Sequence, residues 1–251
     1  MLLEKQYISN PMLKEKIITE SLFHDVEKFP TIEKIICEIK NQDKKYINVY
    51  WLGKRKYNPI WELQMELHKL RVEKRINDTV LLLEHDHVYT LGKNANENHI
   101  LPSKLDDTEV VKIDRGGDVT YHGPGQLVGY PIIDLHNYKM SISWYLNVLS
   151  DSIVELLNDY KILSRYNKDY VGVWVDDDKI AAFGVRLSKW VTMHGFALNV
   201  STDLKYYNGL IPCGIFEKGV TSIKNINKCN FTCINLAKEF TKYFIKNLNK
   251  E

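Results

Sequence analysis

The chain has 251 residues, 44% of them hydrophobic and 26% charged, which suits one large globular domain with a sizeable core, or at most two. Its 34 basic and 32 acidic residues leave a formal net charge of +2, too little for the general positive field that grips nucleic acid, although a local basic face would still suit an acidic protein partner. No apolar run approaches the roughly 18 residues of a membrane helix, so neither nucleic acid nor membrane is an expected partner.

Residues 1–45 read as an N-terminal helical extension. PMLKEKIITESLFHDVEKF and TIEKIICEIK both have helical spacing, with Ile32, Ile35, Ile36 and Ile39 on one stripe that also takes Cys37 into the core. Two packing helices or the remnant of a processed leader would each fit, and NQDKK follows as a linker. The main body, 46–251, opens with the strand YINVYWLG. A helix comes next: Asn58 suits its N-cap, Pro59 its first position, and Ile60, Leu63, Leu67 and Leu70 line one face. TVLLLEH is a buried strand, VYTLG a second after the Asp86–His87 turn, and KNANENHILPSKLDD a polar connection. The strand EVVKID delivers a glycine-rich segment, and QLVGYPIIDL continues as a strand. Ser141 to Tyr160 forms the next helix, with Ile142, Tyr145, Leu149, Ile153, Leu156 and Tyr160 at three- and four-residue steps. DYVGVWVDDDKIAAFGVRLS is a β-hairpin with an acidic tip, WVTMHGFALNV a strand, YYNGLIPCGI a loop, KGVTSI a short strand and FTCINLAKEFTKYFIKNL a closing helix. Strands cluster and helices intervene without alternating, which points to an α+β fold with a mixed β-sheet flanked by helices.

The glycine-rich segment RGGDVTYHGPGQ holds four of the chain's 13 glycines. Its spacing is wrong for a dinucleotide fingerprint, a strand follows where a helix should, and no Gly-Lys-Ser/Thr ends it as a phosphate loop would. A tight turn between strands is one reading. The polar set Arg115, Thr120, Tyr121, His122 and Gln126 favours another, in which glycines let backbone N–H groups approach a ligand and Arg115 holds a carbonyl or phosphate.

Four cysteines and a start, MLLEKQ, that is charged within four residues suggest a reducing compartment without disulfides. Cys229 and Cys233, spaced C-x3-C with no second pair, read as core thiols and not as a zinc site. Cys213 differs, because Pro212 and Gly214 present it sharply in a loop. A nucleophilic role needs a partner that lowers its thiol pKa, either a histidine (His85, His87, His122 or His194) or a lysine. Lys179, after three aspartates and at the head of the apolar run IAAFGV, suits a half-buried position; a plain turn lysine is the alternative.

RGGDVTYHGPGQLVGYPIIDL, LLLEHDHVYTLG, KIAAFGVRL, HGFALNV and GLIPCGI, in this order over about residues 47 to 226, resemble the octanoyltransferases of lipoate biosynthesis, also called lipoyl(octanoyl) transferases or the lipoate–protein ligase B family. The resemblance implies a fold related to the biotin and lipoate protein ligase catalytic domain, with residues 46–251 as the catalytic domain. It implies an acyltransferase that moves an octanoyl group from acyl carrier protein to a lysine of a lipoyl domain through a cysteine thioester. Cys213 would carry the acyl group and Lys179 would be its basic partner. Substrate contacts would fall on Arg115, Gly116, Gly117, Asp118, Val119, Thr120, Tyr121 and His122, on Ala182, Phe183 and Gly184, and on Gly195, Phe196 and Ala197, with Val119, Tyr121, Ala182, Phe183 and Phe196 lining a tunnel and His85 in support. Asp86 and His87 depart from a proline of the family pattern.

The implied partners are octanoyl-acyl carrier protein as donor and, as acceptors, lipoyl domains of 2-oxoacid dehydrogenase E2 subunits or the glycine cleavage H protein. No metal or dissociable cofactor is implied, since the acyl group arrives on the carrier's phosphopantetheine. The compartment would be the cytoplasm in a bacterium, and an apicoplast-like plastid or a mitochondrion in a eukaryote. An ATP-dependent lipoate or biotin ligase on the same scaffold, and a non-catalytic carrier-binding domain, are the rival readings.

Overall fold

The computed structural model of the chain describes residues 21–28, 31–42, 46–211, 219–228 and 231–250. Among these, nine strands form one mixed sheet. Its order is β1 (Ser21–Asp25), β2 (Ile47–Arg55), β3 (Thr79–His85), β7 (Gln126–Ile132), β11 (Val191–Asn199), β10 (Asp178–Ser188), β9 (Gly172–Val175) and β8 (Arg165–Asn167), with β12 (Gly219–Val220) beside β10. β1, β2 and β3 run parallel, and the pairings from β3 to β8 are antiparallel. A three-stranded sheet, β5 (Glu109–Lys112), β4 (Val88–Leu91) and β6 (Val119–His122), carries the glycine-rich segment, which runs from the β5–β6 connection through β6 to the start of β7.

The main sheet is covered on both faces, which is why β2 and β3 read as continuous apolar runs. Side chains alternate along each strand. Val49, Trp51, Val80 and Leu82 point to α3 (Ile142–Asp159) and α5 (Cys233–Leu248), where they meet Leu149, Ile153, Phe240 and Phe244. Tyr50, Leu52, Leu81 and Leu83 point the other way, to Ile60, Leu63, Leu67 and Leu70 of α2 (Tyr57–Val72) and to Ile35 and Ile39 of α1 (Ile32–Lys40). α3 starts where its cap chemistry says it should, with Ser141 Oγ accepting the Trp144 N–H. α4 (Ile223–Asn227) is a short turn after β12.

Three expectations need correcting. Ser21–Asp25 is a strand, not helix; it gains a hydrogen-bonding partner in β2 and lies in the same sheet as the strands after residue 46. α2 begins at Tyr57, so Asn58 sits inside the first turn, and its side-chain amide donates to Glu109 Oε1 at 3.1 Å instead of capping the helix. Pro59 is tolerated there because a first-turn N–H has no helical partner. Cys37 is exposed, on the flank of the Ile35–Ile39 stripe. Cys233 is buried as expected, and Cys229 lies outside the described residues.

Candidate active site

Two predicted segments face one cavity of about 430 Å³. β10 and β11 contribute Lys179, Ala182, Phe183, Gly184, Gly195, Phe196 and Ala197, and the glycine-rich segment contributes Arg115, Gly117, Asp118, Val119, Thr120 and His122. Register explains the first group: Ala182 pairs with Ala197, Phe183 with Phe196 and Gly184 with Gly195 across the β10–β11 ladder.

Gly116, Tyr121 and His85 do not line the cavity. The Gly116 N–H donates to Val185 O at 3.1 Å. Tyr121 points away from the expected tunnel, into a cluster with Tyr89 and Tyr206, with its hydroxyl 2.7 Å from His87 Nδ1. His85 lies one layer back; its Nδ1–H donates to Arg55 O at 2.9 Å and its Nε2 accepts the hydroxyl of Tyr130, a cavity residue, at 2.8 Å. The glycines answer to the protein's own groups. A Cβ on Gly92 would collide with Gly117 O and lie 2.9 Å from Arg115 Nη1, and one on Gly184 would lie 2.9 Å from Arg115 Cδ, so these two glycines leave a slot for one arginine, while Gly117 is set by its left-handed backbone, φ +88°. In that slot Arg115 donates to Thr90 O at 2.6 Å, to Thr90 Oγ1 and to Gly116 O at 3.0 Å. A side chain at Gly123 would collide with the Tyr121 hydroxyl. Gly125, at φ +77°, turns the chain into β7 and gives its N–H to Glu84 Oε2 at 2.6 Å.

Histidine chemistry around the cavity is that of neutral imidazoles. The His122 Nδ1–H donates to Gln126 Oε1 at 2.8 Å, and Gln126 in turn donates to Asn199 Oδ1 at 2.9 Å. Burial, the first cause, holds His122 well below the usual histidine pKa, with His85 and Arg115 nearby acting in the same sense. His194, also on the cavity wall, has left-handed backbone (φ +57°) and donates from Nε2 to Asp114 Oδ1 at 2.8 Å. That hydrogen bond leads the causes that bring Asp114 down to about 2, with Arg186 as a second partner. His194 Nδ1 is buried and has no hydrogen-bond partner among the described residues.

Lys179 is half-buried at the start of β10, opposite Trp174 of β9 and Val220 of β12. The segment 212–218, with Cys213, lies outside the described residues. Its described flanks, Leu210 and Val220, both line the cavity that Lys179 lines. Leu210 follows a 3-10 turn, Leu204–Gly209, and the next N–H, that of Ile211, donates to His99 O at 2.8 Å. Tyr57, Tyr130, Asn199, Tyr207 and the turn Asp169–Val171 also line the cavity and were not foreseen. None of these stood out in the sequence; Tyr130 lies in QLVGYPIIDL, which read only as a strand.

The model of the lipoyl protein ligase A/B catalytic domain matches residues 56–245. An octanoyltransferase of Caldicellulosiruptor bescii is 43% identical over 210 residues, covering 81% of this chain and 92% of the relative. One of Flavobacterium johnsoniae is 45% identical over 199 residues, covering 71% and 86%. Among solved structures, a putative lipoate protein ligase from T. acidophilum superposes with a TM-score of 0.62 at 15% identity over 80% of this chain and 85% of that one; at that identity the likeness supports the fold alone. Among the described residues no helix is long and apolar enough to cross a membrane. A family match over most of the chain, joined to relatives above 40% identity that are covered almost end to end, places the chain in the lipoyl protein ligase A/B catalytic-domain family as a member of its octanoyltransferases, a group of acyltransferases.

Proposed function

We propose that the chain transfers an octanoyl group from the phosphopantetheine thioester of acyl carrier protein to the amine of a lysine in a lipoyl domain, with Cys213 as nucleophile and Lys179 as its proton partner. The acceptors are lipoyl domains of 2-oxoacid dehydrogenase E2 subunits or the glycine cleavage H protein. The observation that carries the reading is Lys179, half-buried in the wall of a cavity that is also lined by Leu210 and Val220, which flank the segment holding Cys213.

The chemistry balances in two exchanges. The Cys213 thiolate, favoured by the Lys179 ammonium, attacks the thioester carbonyl, and the carbon–sulfur bond to the carrier breaks. The ammonium proton goes to the departing pantetheine thiolate, which leaves an acyl-cysteine beside a neutral lysine. The acceptor amine then attacks the new thioester, Lys179 takes the amine's proton as general base, and the cysteine thiolate is released. An amide lies below a thioester in free energy, so no ATP is consumed. Phe183, Phe196, Ala182 and Ala197 give the acyl chain an apolar wall worth about 0.8 kcal/mol per buried methylene.

Intact-mass spectrometry after mixing with octanoyl-acyl carrier protein tests the reading. One octanoyl adduct should form without ATP, map to Cys213 by peptide analysis, disappear in Cys213→Ser, and clear on addition of a lipoyl domain. Adduct on another residue, or transfer that starts only with free octanoate and Mg-ATP, would overturn it.

A further inference from the structure

We infer that Trp174, which does not line the cavity, is a positioning residue that holds the Lys179 ammonium over its indole face; the inference rests on the assignment of Lys179 as proton partner. Four features of the strand pair converge on the lysine. The β9–β10 register slips between Lys179 and Ala181, so Lys179 pairs with Trp174 while Ala181, two residues on, pairs with Val173 one residue back. Such a bulge re-aims the side chains beside it. Lys179 Nζ stands 5.1 Å from the centroid of the Trp174 ring, within the range of a cation–π contact. The lysine stem is routed by Gly172, where an added Cβ would lie 3.3 and 3.4 Å from Lys179 Cδ and Cε and nearer still to Ala181 O. The indole is itself fixed, being 2% exposed with its Nε1–H donating to Tyr170 O at 2.9 Å.

A flexible four-carbon side chain has several rotamers open to it. Laid across Gly172 and held on a buried aromatic face, the ammonium keeps one position from which it can give a proton to a departing thiolate and recover one from an amine. Among the described residues, the other ionisable groups that line this cavity or adjoin the lysine are Asp178 before it in β10, Asp169 and Tyr170 in the turn before β9, Tyr207 of the Leu204–Gly209 turn, and, on the rest of the wall, Tyr57, Arg115, Asp118, His122, Tyr130 and His194. Of these, Tyr170 adjoins the indole directly, its carbonyl accepting the Nε1–H at 2.9 Å and its ring centroid standing 6.2 Å from that of Trp174.

Site-specific incorporation of mono-, di- and tetrafluorinated tryptophan at position 174 is therefore the test, because fluorine drains the ring face while keeping its shape. The single-turnover rate of Cys213 acylation by octanoyl-acyl carrier protein should fall stepwise across the series, by about tenfold at tetrafluorotryptophan. Its alkaline limb should move down by about half to one pH unit, since the ammonium loses a stabilising partner. KM for the carrier should stay within twofold. Trp174→Phe should fall between native and the most fluorinated variant. A flat series, or one in which only thermal stability changes, would overturn the proposal. Lys179→Met is the separate control: if it retains full acylation, the assignment of Lys179 fails, and the fluorinated series is then read as ring packing alone.

Discussion

The Arg115 stem occupies the volume that any side chain at Gly184 would need, since a Cβ there would lie 2.9 Å from Arg115 Cδ. The contact joins the glycine-rich segment to the cavity strand β10. Gly184→Ala should therefore push the arginine off the strand and break its hydrogen bonds to Thr90. Overpacking of this kind costs about 1–3 kcal/mol, and because Arg115 lines the cavity, transfer should fall with stability. Gly116→Ala is the comparison, for the nearest atom to its added Cβ is Val185 O at 3.1 Å, and Gly116 does not line the cavity. Thermal melts and turnover of both variants check this; a Gly184→Ala enzyme as stable and active as the native chain would contradict it.

A second buried contact concerns stability alone. Arg71 Nε lies 2.7 Å from Asp78 Oδ1, with both side chains almost fully buried, and Asp78 also accepts the Asp134 N–H at 2.8 Å and the Tyr138 hydroxyl at 3.0 Å. The pair ties the end of α2 to the start of β3 and the end of β7, and neither residue lines the cavity. Removing one partner strands a buried charge. Arg71→Met should cost about 3–5 kcal/mol by urea denaturation, and adding Asp78→Asn should return part of it. Acylation per folded molecule should be unchanged; a loss of acylation in the folded fraction would show that the pair reaches the site.

What was legible in the chain follows from the range of the forces involved. The strand TVLLLEH, the helix after Ser141 and the hairpin with the Asp176–Asp178 tip rest on local signals, namely a continuous apolar run, a capping hydroxyl and a turn-forming cluster, and these elements form where those signals lie. Ser21–Asp25 has no such signal. Its half-exposed SLFHD suits helix or strand equally, and a partner more than twenty residues away, Ile47 to Trp51, decides. Asn58 has the right chemistry for a cap, but Glu109 competes for it from another sheet. The glycine cluster was visible, while the groups that need the space, the Arg115 stem and the Tyr121 hydroxyl, depend on long-range packing. For the same reason Tyr57 and Tyr130 entered the cavity unannounced: they meet only when α2 lies on β7.

The two described cysteines should separate cleanly in reactivity. Cys37 is exposed on α1, whereas Cys233 is buried at the start of α5, where desolvation pushes its thiol far up and Glu84 beside it adds to the effect. Since the thiolate is the nucleophile, iodoacetamide applied to the native protein should label Cys37 and spare Cys233 until urea opens the core. Peptide mapping reads both. Equal labelling of the two sites without denaturant would mean that the α5 packing described above is not the solution state.

Acid should unfold this protein from a higher pH than its carboxylates alone would dictate, because three buried imidazoles must charge. Burial lowers His85 to about 4, and lowers His122 and His194 as well. The unfolded chain binds a proton at each of these near pH 6.5, while the folded chain does not, so stability is full above 6.5 and declines as pH falls below it. For His85 the decline would be complete near pH 4 and would amount to about 3 kcal/mol, at about 1.4 kcal/mol per pH unit. Asp114 acts in a lower window: held near 2 by His194, its contribution is lost only as pH drops from about 4 toward 2. Urea titrations at half-unit steps from pH 7.5 to 4.5 should thus show a slope exceeding one proton, and His85→Gln should reduce that slope by about one proton. A stability that stays level down to pH 5 would mean that these rings gain protons without leaving their places.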